Sequence, residues 1–552
     1  MTHPGEQFYP EGVRWDDPIP RGTLPDLLSQ AAAEYGSRPA LEFRDRPISY
    51  GELEDKVEIA AGAFLRAGYG KDHSVALFLG NSPDHPINFF GALKAGARVV
   101  HLSPLDGEIA LSHKLKDSGA RVLVTTNLAA LLPMALKFLD KGLLDRLIVC
   151  EDDTWGKVGT PQTALPDHPS IITHKQFIEG ATKSAQWPAI SADDVALLQY
   201  TGGTTGLPKG AMLSHGNLTS AVSVYDVWGK PSRLERNAIE RVICVLPLFH
   251  IYALTVVLLS SIRRGNLISL HQRFDVDAVM RDIEVKRATA FPGVPTMWIA
   301  IANLPDLDKR DLSSLAVAGS GGAPLPVEVA RIFERKTGLT LKSGWGMTET
   351  CSPGTGHPPT GPDKPGSIGL MLPGIEMDVV SLDDPTKVMP TGETGEIRIR
   401  GPNVTKGYWK APDETAAAFV DGFLLTGDIG FMDEDGFFYL VDRKKDMIIS
   451  GGFNVYPSDI EAVLCGHAEV AEAAVVGVAS ERWGETPVAF VVAKRSDPKL
   501  SRLLLEWTNS KLGKTQRLAA VELVDSLPRS AIGKVLKREL RDGYRLKSAE
   551  LS

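Results

Sequence analysis

The chain has 552 residues, of which 43% are hydrophobic and 23% charged, with a formal net charge of −8. That length exceeds one ordinary hydrophobic core, so a globular chain of two or more domains is expected. The acidic balance argues against a dedicated nucleic-acid binder.

The N-terminal stretch lacks the basic and apolar segments of a signal peptide. The longest apolar run, residues 251–262, is shorter than the roughly 20 residues a bilayer span needs, so no transmembrane segment is expected and the run reads as a buried helix. Cys150, Cys244, Cys351 and Cys465 are far apart and show no C-x-x-C spacing. Reduced thiols in a cytoplasmic protein are expected, rather than a zinc site or a disulfide framework.

In chain order, residues 24–35 read as a helix, and residues 74–79, 97–102, 120–125 and 146–150 as strands. Such alternation implies a mostly parallel sheet covered by helices. Residues 154–169 are rich in Gly, Pro, Thr and Asp and read as a loop. A second α/β set runs from residue 195 to about 356, with a buried strand at 195–200, a helix from 217, and strands at 241–246 and 315–318. Residues 395–400 alternate polar and apolar, as half-buried antiparallel strands do, so a small β-rich part is expected from about residue 365. Beyond residue 442 the pattern is compact α+β: helices at 459–465, 500–512 and 535–541, strands at 475–478 and 488–493.

Behind the strand at 195–200 stands TGGTTGLPKG, residues 201–210. Its glycines let backbone N–H groups approach an anion, its threonines add hydroxyl donors, and Lys209 adds charge. It is a polyphosphate cradle by composition, although it lacks the Gly-Lys-Ser/Thr ending of a Walker A loop.

Five further segments follow in order: PLFH at 247–250, GWGMTE at 344–349, TGD at 426–428, DRKKD at 442–446 and LPRSAIGK at 527–534. Together with residues 201–210 they resemble the adenylate-forming enzymes, a family that includes acyl-CoA synthetases, aryl-CoA ligases, luciferases and peptide-synthetase adenylation domains. The resemblance runs from about residue 25 to about residue 545. It implies an N-terminal adenylation domain over residues 1–441, made of two doubly wound α/β subdomains and a small β-rich one. A hinge at 442–446 and a small mobile α+β domain at 447–552 would follow.

The resemblance also assigns roles. Thr201, Gly202, Gly203, Thr204, Thr205, Gly206 and Lys209 would hold the ATP phosphates, with Gly322, Ala323, Pro324, Gly344, Gly346 and Met347 completing the nucleotide site. Trp345, where the family more often has Tyr, would stack on adenine. Thr348 would meet the α-phosphate, and Glu349 would hold Mg²⁺ with Thr204. Asp428 and Arg443 would bind ribose. Lys534 would bridge the substrate carboxylate and the α-phosphate. His250 would stand at the mouth of an acyl pocket walled by Val224, Trp228, Phe249, Gly293, Ser320 and Gly321, whose small residues would leave room for an elongated chain. Ser450, Gly451 and Gly452 would face the pantetheine arm of coenzyme A, and Lys445 would be the pivot.

The activity so implied joins a carboxylic acid, ATP and coenzyme A into acyl-CoA, AMP and diphosphate. The match looks closest to bacterial ligases of medium- and long-chain fatty acids and of dicarboxylic acids such as pimelate. An aryl-acid ligase of the coumarate or benzoate type is the alternative. A luciferase-like role stays open, as does a non-catalytic nucleotide-binding protein, which the presence of both Glu349 and Lys534 argues against. A carrier-linked peptide-synthetase role is not expected, because no carrier domain follows residue 545. A protein lysine acetyltransferase acting on Lys534 and a homodimer are further partners the reading leaves open.

Overall fold

The computed structural model describes residues 3–201, 207–230, 239–358, 362, 364–480, 482–495, 497, 499–530 and 533–550, with side chains as far as 545. They pack as two units. Unit 1 comprises residues 1–376 and 399–424, and unit 2 residues 377–398 and 425–552. The division by packing therefore falls near residue 425, and the expected pivot at 442–446 lies inside unit 2.

Among the described residues, unit 1 is built on two mostly parallel sheets. One runs Ile171–Thr173, Arg146–Cys150, Val122–Thr126, Ser74–Leu77, Arg98–His101, Val195–Thr201, Lys209–Ser214, with only the last pair antiparallel. The other runs in parallel from Pro39–Phe43 through Leu267–Leu270, Arg241–Cys244, Ala290–Gly293 and Val317–Ser320 to Lys342–Trp345. Ser74–Leu77 and Val122–Thr126 are buried at every residue, which is why they are apolar or small throughout rather than alternating. The helix Leu24–Tyr35 begins where Thr23 accepts the Asp26 N–H and Pro25 sets the first turn.

Two expectations change in unit 1. The segment after Thr201 is not a strand–loop–helix unit but a hairpin: Thr201 faces Lys209 across an antiparallel pair, and a full strand, Lys209–Ser214, precedes the helix. Lys209, Gly210 and Ala211 are weak strand formers, so the strand left little trace in the sequence. The helix itself, His215–Trp228, starts at a capping box made by Ser214 and Asn217. The apolar run at 251–262 is helical as expected, but residues Ala253–Leu259 wind as a π-helix.

In unit 2, Phe453–Val455, Ile448–Ser450, Gly484–Ala493 and Val470–Ser480 form an antiparallel sheet, joined by Ala520–Leu523 in parallel. Its two faces diverge by strict alternation. Val475, Ala489 and Val491 pack with Ile460, Leu464, Leu500 and Leu504 of the helices Pro457–Cys465 and Leu500–Asn509. Ala474, Val476, Val488 and Phe490 pack with Leu540 of the helix Lys537–Glu550. The strand Gly395–Arg400 is buried except at its end, not half-buried as its pattern suggests. Its polar residues are satisfied internally: within unit 2, Glu396 accepts from Lys444 and the Gly427 N–H, and Arg398 grips Asp378 with two nitrogens.

Candidate active site

Glu349 sits on the short turn Thr348–Thr350 that follows the strand Lys342–Trp345, at the carboxyl end of the parallel sheet. The carboxylate is 6% exposed and accepts a hydrogen bond of 3.0 Å from the Tyr408 hydroxyl. Its backbone carbonyl accepts from the Thr405 N–H at 2.7 Å. Asn403 donates from Nδ2 to the carbonyls of Thr350 and Pro353, closing the same turn. At Gly346 a Cβ would lie 1.3 Å from the Ser352 carbonyl oxygen, so no other residue fits. Cys351 and Ser352 both hold positive φ, 54° and 99°, a costly conformation that marks a constrained segment. Trp345 is buried, and a Cβ on Gly354 would come within 2.4 Å of its ring, so one side of the ring lies against the chain itself. Gly344, Gly346, Met347 and Thr348 leave at least part of this segment open to solvent.

The hairpin that ends at Thr201 and resumes at Lys209 joins the same neighbourhood. Lys209 Nζ stands 5.7 Å from the centre of the Tyr408 ring and 3.9 Å from Glu414. Gly202, Gly203, Thr204, Thr205 and Gly206 lie outside the described residues. Tyr408 thus touches both the acid and the cation, and burial, then Glu349, raise its hydroxyl pKa. No motif announced it. Among the described residues no group of three or more His, Cys, Asp or Glu gathers as a metal cage. Magnesium in phosphate chemistry is held by one or two carboxylates and by substrate oxygens, which a buried Glu349 fits.

Val224 and Trp228 are buried on the helix His215–Trp228, and Phe249 is buried ahead of His250. His250 Nδ1 accepts the Tyr252 N–H at 3.2 Å, which leaves the ring proton on Nε2. Gly293 faces Ser320 across parallel strands. The Cβ side of two of these glycines is occupied. A Cβ at Gly321 would meet the Tyr252 ring at 2.9 Å, and one at Gly293 would meet Trp298 Nε1 at 2.9 Å. Their smallness serves packing of aromatic rings. Gly322 and Pro324 are exposed and Ala323 is half-buried.

In unit 2, Asp428 and Arg443 face each other across antiparallel strands and form an ion pair through Arg443 Nε, with Asp428 almost fully buried. Lys534 lies within electrostatic reach of both and of Lys445 and Asp446. Burial first, and then the Arg443 charge, lower its pKa from 10.5 to about 8. The lysine is carried on a tight turn: Ser530 N–H donates to the Lys534 carbonyl at 2.8 Å, and the Lys534 N–H donates to Ser530 Oγ at 3.2 Å. Lys445 is exposed on the turn where the Asp446 and Met447 N–H groups donate to the Arg443 carbonyl. Ser450 is buried, and Gly451 and Gly452 take φ of 60° and 82° between paired strands. A two-residue hairpin turn with both positions left-handed favours glycine in its own right.

A large parallel α/β unit whose sheet ends at the buried Glu349 turn, and a small α+β unit bearing an electrostatically tuned lysine, are the parts of an adenylate-forming ligase. Residues 28–409 match the AMP-binding enzyme family and residues 459–534 its C-terminal domain, and the chain belongs to that family. It is similar to a long-chain-fatty-acid–CoA ligase of Bacillus subtilis (strain 168), 36% identical over 96% of each chain. A feruloyl-CoA synthase of an Amycolatopsis species is 37% identical over 90% of this chain and 93% of its own. Among solved structures, o-succinylbenzoate coenzyme A synthetase from Bacillus subtilis, in complex with ATP and a magnesium ion, superposes with a TM-score of 0.78. It is 28% identical over 94% of this chain and 99% of its own.

Proposed function

We propose that this chain is an AMP-forming acyl-CoA synthetase acting on medium- to long-chain fatty or dicarboxylic acids in the cytoplasm. The single observation that carries the substrate class is the full-length similarity to a ligase of long-chain fatty acids. In the first step the acid's carboxylate attacks the α-phosphorus of ATP, giving an acyl-adenylate and diphosphate. In the second the thiol of coenzyme A replaces AMP.

The chain's own groups divide this work. Lys209 and the segment Gly202–Gly206 hold the phosphates, with Thr201 at the mouth of that loop. Magnesium would supply charge neutralisation at the phosphates, and Glu349 with Thr204 would be its protein ligands. Trp345 borders the adenine, Thr348 the α-phosphate, and Asp428 with Arg443 the ribose. Lys534 neutralises charge that builds between carboxylate and α-phosphate. His250 orients the acyl group from the pocket mouth. Lys445 is the pivot between the two half-reactions, and the turn at Ser450–Gly452 serves the second. Because Lys534 acts as a charge, its acetylation by a protein acetyltransferase would stop adenylation.

Similarity to a feruloyl-CoA synthase supports the aryl-acid alternative, and the glycines at 293 and 321 do not decide against it, since aromatic side chains fill their space. Diphosphate release and thioester formation with octanoate, decanoate and pimelate, against benzoate and coumarate, test the reading. Alkyl acids are expected to lead. A kcat/KM at least tenfold higher on an aryl acid would replace the fatty-acid assignment.

A further inference from the structure

His101 and Gln199 are buried polar residues that none of the roles above employs. Gln199 lies on the strand Val195–Thr201, two residues ahead of the phosphate hairpin. Its Nε2 donates to the Phe249 carbonyl at 3.0 Å, and its Oε1 is 3.0 Å from His101 Nδ1. The carbonyl is only an acceptor, so the amide must turn its NH₂ toward Phe249 and its oxygen toward His101. His101 must then donate from Nδ1. Burial holds its pKa down at about 4, so the ring is neutral at ordinary pH and Nε2 carries no proton.

The rest of the surroundings fix this ring in place. Its centre is 5.6 Å from that of Phe89, the planes 28° apart, and 5.0 Å from that of His85, itself fully buried. The His101 ring thus has one available hydrogen on one fixed nitrogen. That hydrogen occupies the acceptor side of the amide, and the donor side of the amide holds the carbonyl immediately before His250. The turn continues with the His250 N–H on the Pro247 carbonyl at 2.9 Å and the Tyr252 N–H on His250 Nδ1. A bonded path therefore runs from the strand that feeds the phosphate hairpin to the residue at the acyl mouth.

We infer that Gln199 is a positioning residue for His250, with its amide held in that orientation by the His101 Nδ1–H. The inference rests on the proposed role of His250 at the acyl mouth. If Gln199 were lost, the buried Phe249 carbonyl would have no donor from this path, and the turn presenting His250 would relax. The effect should reach the acid before the nucleotide.

The test is steady-state adenylation with octanoate in wild-type enzyme and in Gln199→Leu, Gln199→Glu, His101→Leu, His101→Asn, His250→Ala and the double variant Gln199→Leu/His250→Ala. Gln199→Leu and His101→Leu should lower kcat/KM for the acid about tenfold, the scale of one buried hydrogen bond, with KM for ATP little changed. His101→Asn, whose amide nitrogen stands near the Nδ1 position, should restore most of the loss. Gln199→Glu keeps the volume and the acceptor toward His101, so it tests the lost donor even if the leucine variant folds poorly. Its defect should shrink as pH falls and the carboxyl regains a proton to donate. In the double variant, Gln199→Leu should add nothing to His250→Ala. Additive losses beside an impaired His250→Ala, or equal rises in KM for acid and ATP, would overturn the relay alone. A His250→Ala enzyme with wild-type kinetics would overturn the role of His250 and the relay with it.

Discussion

The turn that carries Glu349 and the turn that carries Lys534 are held by different forces. Around Glu349 the backbone is over-determined. Gly346 fits against the Ser352 carbonyl, two non-glycine residues hold positive φ, and Asn403 and Thr405 clamp the carbonyls. Lys534 hangs instead on a short turn closed by Ser530, and what is adjusted there is charge: burial and Arg443 weaken its hold on a proton while Asp428 strengthens it. In the proposed function Glu349 is a magnesium ligand, and such a ligand must be in one place, because the ion tolerates little departure from octahedral geometry. A lysine that acts as a point charge on a flexible stem needs its protonation set more than its position. The first site is therefore specified by sterics and the second by electrostatics.

The largest effect expected from this contrast is on Lys534. Lys534→Ala should lower adenylate formation about a thousandfold, as losing a preorganised charge at a developing charge does. The same variant should still convert a supplied acyl-adenylate to the thioester at close to the wild-type rate. Near pH 7 its melting temperature should not fall, because the cost of burying that charge is removed with it. Separate measurement of the two half-reactions checks this, and equal losses in both would remove Lys534 from the first step. Gly346→Ala is the opposite case. The added methyl collides with backbone, so a destabilisation of about 3 kcal/mol by chemical denaturation should accompany the loss of activity. Wild-type stability in that variant would mean the Glu349 turn is less constrained than its geometry indicates.

Most of the layout was legible in the sequence. The apolar runs at 74–77, 122–126 and 146–150 are buried parallel strands, and the helix at 24–35 falls where its cap and proline put it. The reading failed where long-range pairing outweighs local preference. Lys209–Ser214 becomes a strand because Val195–Thr201 offers it a ladder, and Gly395–Arg400 is buried because Glu396 and Arg398 find charged partners in the fold. The small residues at 320–323 were read as leaving room for a chain, and at Gly321 the Cβ side faces the Tyr252 ring, since a sequence does not say which ring packs on which glycine. Tyr408, Thr405 and Gln199 carry no local signature. Their importance comes from side-chain and backbone contacts across 59, 56 and 50 residues.

The electrostatic half of the contrast makes a smaller, graded prediction. With its pKa at about 8, Lys534 is charged below that pH and loses its proton above it. The kcat/KM for adenylation should fall as pH rises through about 8, approaching tenfold per unit, since that ratio reports the free enzyme. Stability should move the other way. The folded pKa lies below the ordinary 10.5, so the cost of burying the charge is fully present below about 8 and is relieved between 8 and 10.5. The difference in stability between wild type and Lys534→Met, which cannot titrate, isolates that contribution. An adenylation rate flat to pH 9.5 would contradict the assignment.

The smallest effect separates the two jobs of Tyr408. Its hydroxyl donates to Glu349 Oε1, and its ring stands below Lys209. Tyr408→Phe removes the first contact and keeps the second. A hydrogen bond to a carboxylate draws charge from it, so deleting that bond changes how strongly Glu349 attracts a cation while leaving the cation–ring contact in place. The magnesium concentration for half-maximal adenylation should therefore shift about threefold, in keeping with the modest net worth of one hydrogen bond, while KM for ATP at saturating magnesium stays within error. Tyr408→Leu, which lacks the aromatic face as well, should raise KM for ATP too. If both variants change only KM for ATP, Tyr408 serves the phosphate hairpin and not Glu349. If neither parameter moves in Tyr408→Phe, the Glu349 turn keeps its geometry through the Thr405 and Asn403 contacts to its backbone without need of the phenol.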